Sequence, residues 1–230
     1  MALGKPDPRF TESRRARSNF RLALRLSLAS IGIVWSIFIV DQVFGLGLVR
    51  LGLRPGSIPG LIGVVTAPLL HGSFQHLLSN TLPLLVALTG TLYLYPNSSL
   101  RVIPVIWLGS GTLAWLIGRP SIHIGASGLI YGLLVFIFVS GILRRDIRSI
   151  SVSLMVGFFY GSLIWGVLPV RQHMSWEMHL SGAVIGLVLA FIFRKWDRVP
   201  VVRYDWEDDD SVPDWYPEEQ KPRDDRDRPH

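Results

Sequence analysis

The chain contains no cysteine. That excludes a disulfide framework, a thiol nucleophile and thiolate metal ligation, and it says nothing of compartment. Acidic residues are scarce over most of the length: of 17, only 6 precede residue 205, against 19 basic residues in the same stretch. The net charge of +6 therefore joins a strongly basic body to an acidic segment, 205–230, with 11 acidic and 4 basic residues. No internal repeat is present. Nor is a cleavable signal peptide expected, because the first apolar run starts near Leu26, behind a basic segment, and is too long for a signal core. A basic body can indicate nucleic acid, but these arginines flank apolar runs, which fits membrane topology and no nucleic-acid partner.

Apolar sequence is what the chain has in excess. Of its 230 residues, 49% are hydrophobic, and the mean hydropathy is +0.37, values that suit a polytopic membrane protein. Apolar runs recur at 26–49, 76–95, 102–118, 126–143, 150–169 and 179–193. A hydrocarbon core of about 30 Å takes about 20 helical residues to cross, so the pattern predicts an all-α bundle of six transmembrane helices, the last run needing Trp196 or its neighbours to finish. Residues 1–25 read as a basic cytoplasmic arm with little to pack, 26–196 as the membrane domain, and 197–230 as a disordered acidic tail.

Orientation follows from the basic residues beside the runs. With the N-terminus in the cytoplasm, the inner segments carry the arm, Arg101, Arg144, Arg145, Arg148, Arg194, Lys195 and Arg198; the outer ones carry only Arg50, Arg54, Arg119 and Arg171. This satisfies the positive-inside rule with both termini inside. The second, fourth and sixth spans then begin at the outer face, and their first turns hold His76 and Asn80, Ser127, and His179. Residues 50–75 form a long outer connection rich in Gly and Pro, with an apolar middle that fits the membrane interface.

Polar groups inside a span are costly and call for a functional explanation. Ser127 lies in Gly125-Ala126-Ser127-Gly128 at a helix start, where free N–H groups can stabilise an oxyanion; the same small residues also suit plain helix packing. His179 is followed by Gly182 and Gly186, whose spacing lets another helix approach, and Gly128 with Gly132 offers a matching face. A serine and a histidine so placed can form a nucleophile–base pair. His76 and Asn80, four residues apart, share one helix face and can donate to an oxyanion or simply bond a neighbouring helix. His71 lies just before, in the loop, and can orient the site or simply sit in the interface. Tyr131 follows Ser127 by one turn and can pack beneath the histidine or be an ordinary buried tyrosine. His123 and His173 are read as solvent-facing, and Asp41 near the end of the first span is left without a role.

Together, His71-x-x-x-x-His76-x-x-x-Asn80, Gly125-Ala126-Ser127-Gly128 with Tyr131, and His179-x-x-Gly182-x-x-x-Gly186 resemble the rhomboid family of intramembrane serine proteases, from about Thr66 to Phe193. The resemblance implies Ser127 as nucleophile and His179 as its base, with no acidic third member and no cofactor or metal. His76, Asn80 and the Ser127 N–H would form the oxyanion hole, Tyr131 would stack on His179, and His71 and the glycines would support them. Substrates would be single-span membrane proteins cut within the lipid bilayer near its outer face, with the fifth span and first outer loop controlling entry. Three features depart from the family pattern: the Trp-Arg pair of the first outer loop is missing, Tyr95-Pro96-Asn97-Ser98-Ser99 replaces an acidic and basic cluster, and Glu177-Met178 precede the histidine where a small alanine is usual before it. The rival readings are a non-catalytic relative that binds or escorts membrane helices, and a metal-dependent membrane hydrolase using the outer-side histidines.

Overall fold

The computed structural model describes residues 14–144, 147–169 and 175–197. The segment before Arg14, Arg145, Arg171, His173 and the acidic tail beyond Asp197 lie outside the described residues. Among those described the chain is all-helical, apart from an isolated antiparallel bridge between Leu53 and His123. Its helices are α1 (Arg14–Phe44), α2 (Gly63–Thr66), α3 (Phe74–Leu94), α4 (Ser99–Ile117), α5 (Ser127–Arg144), α6 (Ile147–Tyr160) and α7 (Trp176–Ile192).

Every apolar run coincides with a helix, but their lengths are unequal. Among the described residues four helices, α1, α3, α4 and α5, are long and apolar enough to cross a membrane. The runs at 150–169 and 179–193 give helices of only 14 and 17 residues. In the first of these the α-helix stops at Tyr160 and continues as a 3₁₀ segment, Gly161–Val167, where two glycines weaken the α-helical preference.

Helix α1 starts earlier than its apolar run, so Arg14–Arg25 are helical and not a loose arm. Its buried residues, Ala16, Ala23, Ser27, Val34, Phe38 and Asp41, fall at spacings of three, four and seven and make a narrow stripe. That stripe packs on α3, where Trp35 donates to Thr81 at 3.1 Å. The buried Asp41 acts locally, its Oδ1 accepting the Leu48 N–H at 2.9 Å and closing the turn beyond α1.

The core centres on α5, which packs against α3, α4, α6 and α7. A helix apolar all round belongs in such a position; Leu133, Phe136 and Ile137 are among its fully buried side chains. The connection 50–69 is folded into short helical turns. It is held by Trp107 Nε1 donating to the Val65 carbonyl at 3.0 Å and Trp115 Nε1 donating to that of Ser57 at 2.9 Å. These α4 tryptophans and the Leu53–His123 bridge support the loop in the absence of a Trp-Arg pair.

At the opposite end, Tyr95–Ser99 receives its acid from far along the chain. The buried Asp197 carboxylate accepts from the Asn97 and Ser98 N–H groups at 2.8 and 3.0 Å, from Asn97 Nδ2 at 2.7 Å and from Ser98 Oγ at 2.5 Å. Arg144 donates to the Asp197 carbonyl and lies over the Tyr95 ring. An acid and a base 53 residues apart in sequence thus stand where the family pattern has a local charged cluster.

Candidate active site

Helix α3 is capped by Ser73, whose side chain accepts the His76 N–H at 3.2 Å. This N-cap satisfies one of the four orphan donors of the first turn and fixes where His76 starts. One turn on, Asn80 Nδ2 donates to the His76 carbonyl at 3.1 Å, leaving the amide a second donor. Behind them His71 is buried, its ring centroid 4.9 Å from that of His76.

Gly125 has φ +104°, and a Cβ there would lie 2.6 Å from His76 Nε2. Only glycine allows both the backbone turn and the approach of the imidazole. The Gly125 N–H is held by the Ala67 carbonyl at 2.8 Å, so the segment leading into α5 is tied to the turn before α3. Ser127 is the first residue of α5, where backbone N–H groups lack intrahelical partners.

His179, in the first turn of α7, is buried. Its Nδ1 lies 2.9 Å from the Gly166 carbonyl oxygen. A carbonyl only accepts, so Nδ1 carries the hydrogen and Nε2 of the neutral ring is left with a free lone pair. Tyr131 stacks on the same ring, centroids 4.2 Å apart and planes 7° apart. Gly166 is packed so tightly that a Cβ would strike the Tyr131 hydroxyl.

Helices α5 and α7 cross on their glycines. A methyl on Gly182 would run into the Gly128 carbonyl, and one on Gly186 into that of Gly132. This contact brings the starts of the two helices together. His76, Asn80, Ser127, Tyr131 and His179 line one cavity of about 600 Å³. No hydrogen bond joins Ser127 Oγ to His179 among the described residues, an arrangement common before substrate binds. His71 does not line the cavity; Gly128, Gly182 and Gly186 lie at the crossing.

His123 is not solvent-facing: it is fully buried, because its backbone pairs with Leu53 and its ring bonds Ser121, Ser175 and the Arg119 carbonyl. No three of His, Cys, Asp and Glu come together as metal ligands among the described residues. Two contributors escape a reading of motifs, Gly166 and the Arg119–Glu177 pair. Glu177 carried a signal, since a carboxylate in the first turn of an apolar helix demands a partner. For Gly166, which reaches the site through its carbonyl, no side-chain signal existed.

The fold and this cavity define a multi-pass helical membrane protein whose polar groups converge near one end of the bundle. Residues 59–196 match the model of the rhomboid domain, and the chain belongs to the rhomboid family. It is similar to the uncharacterized proteins Mb1372 of Mycobacterium bovis and Rv1337 of Mycobacterium tuberculosis, each 40% identical over 182 residues, covering 74% of this chain and 75% of theirs. The uncharacterized protein ML1171 of Mycobacterium leprae is 36% identical over 185 residues, 74% of this chain and 71% of that one.

Proposed function

We propose that the protein is an intramembrane serine endopeptidase working with a Ser127–His179 dyad. The observation that carries this reading is the Nδ1–H bond of His179 to the Gly166 carbonyl at 2.9 Å. It fixes the tautomer a base needs, as an aspartate does in a triad. Ser127 Oγ attacks the scissile carbonyl as its proton passes to Nε2. The tetrahedral oxyanion is held by His76, the Asn80 amide and the Ser127 N–H. His179 returns the proton to the leaving amine, and a water, activated by the same nitrogen, hydrolyses the acyl-enzyme. No cofactor enters these steps.

The bilayer sets the substrate class. A helical backbone hides its carbonyls in hydrogen bonds, so the segment to be cut must leave the helix; single-span proteins with small or helix-weakening residues near the outer face fit best. The reading takes the chain to cross six times, with α6 and α7 as the two short spans. The 14-residue α6 covers about 21 Å and its seven-residue 3₁₀ extension about 14 Å more. The 17-residue α7 covers about 26 Å. On this reading the basic side faces the cytoplasm with both termini, and the cavity opens at the outer face.

The test is cleavage of a single-span reporter in liposomes by the parent, Ser127→Ala and His179→Ala. Cleavage by the parent alone, with both variants folded and chelator without effect, supports the dyad. A parent that binds the reporter without cutting it would favour a non-catalytic, helix-binding relative. Cleavage that survives Ser127→Ala would identify another nucleophile.

A further inference from the structure

Glu177 is the second residue of α7 and fully buried, with no exposed surface. Its Oε1 accepts from Arg119 Nε at 2.5 Å and from the Arg119 backbone N–H at 3.3 Å, and its Oε2 from Arg119 Nη2 at 3.4 Å. Arg119 belongs to the connection between α4 and α5, eight residues before Ser127. Glu177 lies two residues before His179. A charge pair therefore joins the segment that delivers the nucleophile to the turn that carries the base.

A second tie runs beside it. His123 Nδ1 lies 3.0 Å from Ser175 Oγ, while its Nε2 lies 3.1 Å from Ser121 Oγ and 3.2 Å from the Arg119 carbonyl. Ser175 occupies the N-cap position of α7 yet makes no side-chain cap bond. Its hydroxyl faces His123 instead, giving up the usual cap contribution. The 119–123 connection is fixed in turn by Leu53: the Leu53 N–H donates to the His123 carbonyl at 2.9 Å and the His123 N–H to that of Leu53 at 2.8 Å.

The glycine crossing of α5 on α7 brings the helices together by backbone contact; sliding and rotation of the helix starts meet a further, directional constraint. A buried carboxylate bonded to both side chain and backbone of one residue does constrain them, because displacement strands a charge away from water. Glutamate in the first turn also suits the positive end of the helix.

We propose that Arg119, Glu177 and His123 are positioning residues that strap the approach to Ser127 onto the first turn of α7 and so set the Ser127–His179 distance. The inference rests on the protease reading above.

Its test measures the labelling rate of Ser127 by a fluorophosphonate, together with kcat and KM for a single-span reporter and the thermal midpoint, on the full chain in detergent. The variants are Glu177→Gln, Arg119→Lys and the double Glu177→Leu/Arg119→Leu. Misplacement on the order of 1 Å costs about 100-fold in rate. Glu177→Gln is therefore expected to lower labelling and kcat together by about 10- to 100-fold with KM little changed. Arg119→Lys, which keeps the charge, recovers most of the rate. The double leucine variant strands no charge and so regains the parent's midpoint, but stays slow. It also carries the test if Glu177→Gln does not fold. Parental labelling by a folded Glu177→Gln or double variant overturns the strap. A parent that neither labels nor cleaves overturns the protease reading and this inference with it, an outcome told apart by the parent alone.

Discussion

His71 shows what burial does to an ionisable side chain in this protein. It lies in the turn before α3, only 3% exposed. Burial first, then the neighbouring His76, hold its imidazole down to about 4, with the Leu69 backbone acting weakly the other way. In an unfolded chain the same group titrates near 6.5. Between those values the unfolded state takes up the proton and the folded state does not, so stability falls as pH drops from about 6.5 to 4 and levels off below. The full loss is on the order of 3 kcal/mol. Melting in detergent at pH 7 and pH 4.5 should show it, and His71→Gln, which cannot titrate, should flatten the difference; an equal pH response in the variant would assign the effect elsewhere. At this scale the motif spacing was informative because helical periodicity translates directly into geometry: four residues put His76 and Asn80 on one face, and a single turn puts Tyr131 above Ser127. The Gly166 carbonyl and the burial of His123 were not legible, since both depend on how connections between helices fold back, and no local spacing encodes that.

Among the elements, the α5–α7 crossing is the most sharply specified. Glycine in a helix interior costs about 1 kcal/mol relative to alanine, so four on facing surfaces are retained for approach and not for helix formation. Alanine at Gly182 or Gly186 meets the carbonyl oxygens of Gly128 or Gly132, with no side chain free to yield. Each substitution is expected to destabilise by about 1–3 kcal/mol. Gly32 of α1 has nothing within 4 Å of its added Cβ, so Gly32→Ala should be neutral or slightly stabilising. Thermal denaturation of the three variants in one detergent checks the contrast, and equal midpoints would remove the packing argument. Element positions could be read from hydropathy because each buried helix must carry its own apolar run. Element lengths were less legible. The run at 150–169 carries no charge, so its hydropathy reads the same whether its backbone is α-helical or 3₁₀, and Ala16 and Ala23 sit among arginines that mask the start of α1. The connection 50–69 gave only its glycines and prolines, whereas its order comes from tryptophans on α4, more than 40 residues away in sequence.

For the whole molecule, the absence of cysteine becomes an experimental advantage. Any introduced thiol is the only one in the chain, so its reaction with a membrane-impermeant maleimide reports one position. The proposed orientation rests on charge: Arg14, Arg15, Arg17, Arg21, Arg25, Arg101, Arg144, Arg194 and Lys195 fall at one end of the helices, and Arg50, Arg54 and Arg119 at the other. One of those three, Arg119, is already engaged by the buried Glu177, which sharpens the asymmetry. Ile58, 78% exposed, marks the end with the cavity, and Arg15, also exposed, marks the opposite end. Ile58→Cys is expected to label in intact cells, and Arg15→Cys only once the membrane is opened. The reverse pattern would turn the cavity toward the cytoplasm, against the positive-inside rule, and substrates would then be cut near their inner ends. Labelling of both in intact cells would place the two ends on one side, which a single crossing by α1 does not allow. The six-span arrangement would then have to be redrawn beginning with α1, the helix that separates these two positions.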